Sequence, residues 1–257
     1  MIADLLIDNA DLVATCAGPG PRRGSAQREI STIPNASIAG FEGRIVFVGS
    51  AHDAKSAVTL APQAQVLDAQ GCTVVPGFVD PHTHLVFAGD RRDELRRRLA
   101  GATYADTAAS GGGIVKSVDA TRLASEHDLI DGARKRLAEM LSFGTTTAEA
   151  KSGYGLGLAG GRKMLCAVRQ VGAGHPSGLA ATVMGAHEVP VEFRHDRSAY
   201  VREIIEVMIP AIAEEGLAEW CDVFCEQGVF TPDESRDILE AGKRHGLKPR
   251  IHADELA

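Results

Sequence analysis

The sequence has no excess of positive charge: 27 Lys and Arg stand against 34 Asp and Glu, a formal net charge of −7. That balance gives no support to a nucleic-acid partner or to an anionic membrane surface. Basic residues cluster once, at Arg91-Arg92 and Arg96-Arg97-Arg98, but Asp90, Asp93 and Glu94 are interleaved, the pattern of a solvated helix face. Cysteine is equally uninformative as a scaffold. The five residues, Cys16, Cys72, Cys166, Cys221 and Cys225, form neither a zinc-ribbon nor a secreted disulfide pattern. Cys72 and Cys166 lie in apolar segments and are expected to be buried thiols. No apolar run is long enough to span a bilayer. Met1-Ile-Ala-Asp4 lacks the basic start of a signal peptide, so the expected compartment is the cytoplasm. No glycine-rich phosphate fingerprint follows the first strand of the α/β region, and Gly111-Gly112-Gly113 lies too far downstream to serve as one.

What is present is an ordinary globular composition, 44% hydrophobic and 24% charged, over 257 residues. That length suits one large domain, or one domain with a smaller companion. Residues 1–70 read as turn-rich β structure, with strands at 4–8, 11–15, 36–39, 44–49 and 66–69. The glycines and prolines of 17–25 exclude regular structure there, and Gly40 to Gly43 make the turn of a hairpin. This segment is expected to be the N-terminal part of a composite, sandwich-type β domain. None of its residues forms a cluster of metal-ligand types.

From residue 71 to 257 strands alternate with helices, which implies βα units and a parallel sheet. Strands are expected at 72–80, 145–151, 178–184, 221–225 and 249–252, with helices at 123–143, 158–171, about 197–216 and from 231 to about 245. Pro210 predicts a kink in the third helix, and Thr231-Pro-Asp-Glu234 predicts the start of the fourth. Each strand ends in polar or titratable side chains: His82 and His84, Lys151 and Tyr154, His187 and Glu188, Glu226, then His252 and Glu255. A (β/α)8 barrel carries its active site on those loops. An open doubly wound sheet also binds ligands there, but the missing phosphate fingerprint favours the barrel. Five units account for 71–257, whereas a closed barrel needs eight. The expectation is therefore a barrel incomplete at its C-terminus, a truncated product or fragment.

The chemistry centres on Gly77-Phe-Val-Asp-Pro-His82-Thr-His84. Side chains two apart on an extended strand share a face, so the two imidazoles can converge on one ion. An isolated pair of this kind is most simply a polar strand end. His252, on a later strand of the same barrel, supplies a third imidazole, and three protein ligands with an open position make a catalytic metal arrangement. Glu255 is the carboxylate placed to take a proton from water at such a site.

The first of these motifs resembles the first-strand signature of the amidohydrolase superfamily. The continuation His84-Leu-Val-Phe-Ala-Gly-Asp-Arg91 resembles the imidazolonepropionase family, as do Ser110-Gly-Gly-Gly-Ile114, Glu149-Ala-Lys-Ser-Gly-Tyr-Gly-Leu156, Gly185-Ala-His-Glu-Val-Pro190 and His252-Ala-Asp-Glu255. The resemblance runs from about residue 43 onward. It implies hydrolysis of the cyclic amide of 4-imidazolone-5-propanoate to N-formimidoyl-L-glutamate at one Zn2+ or Fe3+. It also implies His82, His84 and His252 as metal ligands, with Arg91, Tyr154, His187 and Glu255 contacting the substrate. Arg91 suits a bidentate clamp on the propanoate carboxylate. His187 could donate to a carbonyl oxygen as it gains charge. Glu255 could bond a ring N–H or shuttle the proton.

Three features remain open in the sequence. The family's fourth ligand, an aspartate from the last strand, has no counterpart here, so this chain is expected to be inactive as it stands. Lys151 could be carboxylated to bridge two metals, though a structural role beside Glu149 suits its block better. The alternatives are another cyclic amidase or a deaminase of the same barrel, or a catalytically silent metal-binding fragment. The expected partner is the small-molecule substrate, with neither nucleic acid nor membrane, and a homodimer for the complete protein.

Overall fold

The computed structural model describes residues 1–101 and 112–255, so Ser110 and Gly111 of the glycine block lie outside the described residues. The chain forms two compact units, Met1–Gly77 and Phe78–Ala257.

The first unit is built on strands β1 (Ile2–Ala14), β2 (Thr32–Phe41), β3 (Arg44–Ser50), β4 (Thr59–Asp68) and β5 (Thr73–Val74), with helix α1 (Ala51–Ala57). They form one mixed sheet in the order β3-β2-β1-β4, with β5 also on β1. The two facing sheets of the expected sandwich-type domain are not formed among these residues. The two N-terminal strands expected separately are one, interrupted by a register shift between Ile7 and Ala10 where Asn9 takes a left-handed conformation. Glu42 and Gly43 both have positive φ, as a tight turn between twisted strands requires.

The second unit carries the parallel strands β6 (Phe78–Asp80), β7 (Thr145–Lys151), β8 (Gly178–Ala186), β9 (Trp220–Phe224) and β10 (Lys248–His252). Their order is sequential, β10-β9-β8-β7-β6, and every pair is parallel. Sequential parallel strands joined by helices make the curled wall of a partial (β/α)8 barrel. The helices are α2 (Arg92–Leu99), α3 (Ile114–Leu123), α4 (Glu126–Ser142), α5 (Leu158–Ala173), α6 (Arg197–Glu203), α7 (Ile209–Glu214) and α8 (Pro232–Arg244).

Four local differences from the sequence reading have simple causes. The apolar run 72–80 is not one strand, because Pro76 has no N–H to give a ladder; Thr73–Val74 joins the first sheet and Phe78–Asp80 the second. His82 and His84 therefore sit in the loop after β6, not on the strand itself. The helix expected from 123 starts at Glu126, since the Ser125 hydroxyl caps it by accepting from the Asp128 N–H. Cys72 is exposed, not buried, in the connection before β5. The kink expected at Pro210 is realised as a π-helical segment, Ile204–Met208, which precedes the proline and absorbs its missing N–H. The start of α8 matches expectation: Thr231 and Glu234 form a reciprocal capping box with Pro232 in the first turn.

Apolar side chains fill the layer between this sheet and its helices. Leu129, Ala133 and Leu137 of α4 pack with Ala148 and Ala150 of β7 and Met164, Val168 and Val171 of α5. Ile204, Met208 and Ile212 pack with Val183, Cys221, Val223 and Ile238. Residues of alternate parity along the same strands face the other way, and they include the polar side chains of Glu149, Lys151, Thr182, Asp222, Arg250 and His252.

Candidate metal centre

Four strand exits bring five rings together. His82 and His84 come from the loop after β6, Tyr154 from the loop after β7, His187 from the end of β8, and His252 from β10. The rings of His82 and His252 lie edge to face with centroids 4.2 Å apart, and their Nε2 atoms face each other at 2.8 Å. His84 stacks on His187 at 4.6 Å with an interplanar angle of 18°, and lies 4.9 Å from Tyr154. His82 and His84 are 5.8 Å apart between centroids.

The protonation states follow from the surroundings. Burial lowers the pKa of His82, helped by the neighbouring His252. Burial, then proximity to His187, lowers that of His84 to about 2. These imidazoles are neutral at pH 7 and present lone pairs, the form a metal requires. Nδ1 of His84 is buried and has no hydrogen-bond partner. Nδ1 of His252 lies 3.1 Å from Oδ1 of Asp222, a carboxylate that can only accept, so Nε2 carries the lone pair. One imidazole nitrogen without a partner, on His84, beside two that meet only each other, on His82 and His252, fits a zinc- or iron-type ion in donor chemistry. No group of three or more ligating side chains stands in full ligating geometry among the described residues. Two of the three face each other, while His84 is turned towards His187.

His187 is buried, and burial lowers its pKa to about 4. Its Nδ1 lies 2.7 Å from the Gly153 carbonyl, to which it donates. The neutral ring then offers Nε2 as an acceptor. Donation to a carbonyl oxygen, the role read from the sequence, would need a second proton that burial opposes. Gly153 is a constraint the sequence reading passed over. A Cβ there would stand 2.6 Å from His187 Nδ1 and 2.8 Å from His84 Cε1, so only glycine admits the stacked pair. A glycine beside a tyrosine at a strand exit was the available signal.

Tyr154 is buried, and burial raises its phenol pKa, with the Arg91 charge opposing. Arg91 is the residue before α2, its side chain 40% exposed and 3.9 Å from Glu94, within electrostatic reach of Tyr154. Glu255 is exposed, and its main-chain N–H donates to Glu226 Oε2 at 2.9 Å. Among the described residues no hydrogen bond or ion pair joins the Glu255 carboxylate to the imidazoles. The loop that carries His82, His84 and Arg91 is held by Arg136 of α4, which donates to the carbonyls of Leu85 and Phe87 and stacks on the Phe87 ring at 3.6 Å.

Residues 65–105 match the amidohydrolase family. Solved structures share the fold at low identity. Triazine hydrolase from Arthrobacter aurescens superposes with a TM-score of 0.64 at 15% identity, covering 98% of this chain and 53% of that one. 5-Methylcytosine deaminase from Klebsiella pneumoniae gives 0.60 at 16%, covering 97% and 51%.

Curated sequence relatives carry the name imidazolonepropionase. The protein of that name from Symbiobacterium thermophilum is 50% identical over 255 residues, 99% of this chain and 60% of its own length. The one from Alkaliphilus metalliredigens is 46% identical over 257 residues, 100% of this chain and 61% of its own. The chain thus spans about 60% of the length of the curated relatives it matches.

Proposed function

We propose that these residues form the site of a metal-dependent cyclic amidohydrolase that opens 4-imidazolone-5-propanoate to N-formimidoyl-L-glutamate. The observation that carries this reading is the convergence of His82, His84 and His252 at the strand exits, with the Nε2 atoms of His82 and His252 facing each other at 2.8 Å and Nδ1 of His84 buried without a partner. His82, His84 and His252 would hold one Zn2+ or Fe3+. Such an ion supplies an acidified water and polarises the carbonyl to be attacked.

The chain's own residues then bind and orient. Arg91, whose ion pair among the described residues is with Glu94 at 3.9 Å, takes the propanoate carboxylate in a two-point clamp. Tyr154 stays a protonated phenol at neutral pH and donates to the ligand. His187 accepts a ring N–H through Nε2, its Nδ1–H being committed to Gly153. Glu255, three residues beyond His252 and free of ion pairs among the described residues, carries a proton from water to the departing ring nitrogen. A cytoplasmic setting belongs to the same proposal and is supported by five unpaired cysteines.

The reading is tested by calorimetric titration of the zinc-loaded chain with imidazolonepropanoate and with an imidazolone that lacks the acid arm. Saturable binding of the acid is expected, at least tenfold tighter than the neutral ring, with the preference lost in R91A. Equal binding of the two ligands, or binding of neither, would overturn it. A deaminase acting on a neutral base has no use for this clamp, so equal binding would point there.

A further inference from the structure

Deeper than the imidazoles, a second cluster of charge lies on the inner face of the sheet. Glu149 and Lys151 of β7 and Asp222 of β9 are almost wholly buried, at 1–2% side-chain exposure. The Lys151 ammonium sits 2.6 Å from Glu149 Oε2 and donates to Asp222 Oδ2. Arg250 of β10 pairs with Glu149 Oε1 at 2.9 Å, and the Thr182 hydroxyl of β8 donates to the same oxygen at 2.5 Å. Arg250 also donates to the Pro81 carbonyl at 2.7 Å, immediately before His82. Two carboxylates thus face one ammonium and one guanidinium, and the formal charges cancel without His252.

Burying four charges costs several kcal/mol per ion before pairing, and apolar replacements of such clusters are often neutral or stabilising. Stability alone does not account for its presence. What the cluster does is leave Asp222 an unambiguous acceptor, with Oδ1 turned to His252 Nδ1 at 3.1 Å. Lys151 holds the other oxygen by donating to Oδ2. His252 must then place its proton on Nδ1 and its lone pair on Nε2. That is the atom that meets His82 at 2.8 Å. At ordinary zinc–nitrogen lengths two tetrahedral ligands stand roughly 3.3 Å apart, so this pair needs only a small opening to share an ion.

We propose that Asp222 is a positioning residue for His252, that Lys151 is the counter-ion that keeps Asp222 an acceptor, and that Arg250 ties the His82 loop to the same cluster through Pro81. The proposal rests on the reading of His82, His84 and His252 as ligands. Its consequence is that metal affinity is set partly by side chains that never touch the metal. Outer partners of ligating imidazoles are worth about 10- to 100-fold in affinity.

The test is zinc affinity of the chain by chelator competition, alongside the urea midpoint of the metal-free form, for the parent, D222N and H252A. D222N is expected to bind zinc about 10- to 100-fold more weakly, and to shift the absorption bands of the cobalt-loaded protein, with H252A weaker still. Unchanged zinc affinity in D222N beside weakened H252A would overturn the positioning role while sparing the ligand reading. H252A binding zinc as the parent does would sink the ligand reading and this proposal with it. The parent chain gives a check that needs no variant: nitrogen-15 NMR of metal-free His252 is expected to show the Nδ1–H tautomer. A proton found on Nε2 would overturn the assignment.

Discussion

The two faces of one sheet in the second unit are built on opposite principles. On the helix side, Leu129, Leu137, Val183 and Val223 are buried among other apolar side chains and ask nothing of their neighbours but shape. On the inner side, Glu149, Lys151, Asp222, Arg250 and His252 each depend on a named partner. Adjacent residues of β7 show the contrast: Ala148 and Ala150 pack outward, while Glu149 and Lys151 point inward. The outer layer makes the barrel wall stand, and the inner layer decides which side-chain nitrogens carry protons. Mutations on the two faces should therefore separate stability from metal binding.

The largest expected loss is K151M. Two buried carboxylates would face each other without their ammonium, at a cost of about 3–5 kcal/mol in urea unfolding, with zinc affinity falling too. Retention of both would mean that the inner charges are independent of each other. L137A on the outer face should cost about 2–5 kcal/mol, because Leu137 is fully buried. Here zinc affinity should stay within roughly twofold once the protein is folded, which chelator competition reads directly; a large drop would dissolve the distinction between the faces. G153A should cost about 1–3 kcal/mol through overpacking, and should also disturb the His84–His187 stack that the added carbon would strike. At the surface, T231A removes a helix cap and should cost about 1 kcal/mol without touching the metal.

Acid should act on the inner face first. The metal-free folded chain holds His187 near pKa 4 and His84 near 2, against about 6.5 for an exposed imidazole. Between those values the unfolded chain binds more protons than the folded one, so folding weakens as pH falls. Each group approaches about 1.4 kcal/mol per pH unit below 6.5. For His187 the loss is complete near pH 4; for His84 it runs on towards 2. Urea midpoints of metal-free protein at pH 7.5, 6 and 5 should decline in that order, and a flat profile would mean that these rings titrate normally.

The sequence was most legible where a residue type has one structural use. Thr231-Pro-Asp-Glu234 could hardly be anything but a helix start, and strands β7 to β10 announced themselves through apolar runs ending in titratable groups. The sequence also displayed the imidazoles, because HxH and a third histidine at strand ends are sparse and specific. It hid whatever depends on partners far along the chain. Asp222 reads as one acid in Cys-Asp-Val-Phe, and nothing local reveals that Lys151 and His252 close on it across β7, β9 and β10. A charged residue inside an apolar strand was the only clue. The tautomer of His187 is hidden for the same reason, since it is set by a carbonyl 34 residues away. Periodicity reads the apolar run 72–80 as one strand because it does not show that Pro76 divides it between two sheets.

The central claim is that His82, His84 and His252 form one metal site whose protons are placed by the buried cluster beneath. It is tested most directly by titrating the metal-free chain with zinc and counting ions per chain at saturation, in the parent and in H82A, H84A and H252A. The account predicts one tightly held ion in the parent and its loss, or at least a hundredfold weakening, in each variant. A parent that holds no ion, or variants that keep it with unchanged affinity, would contradict it.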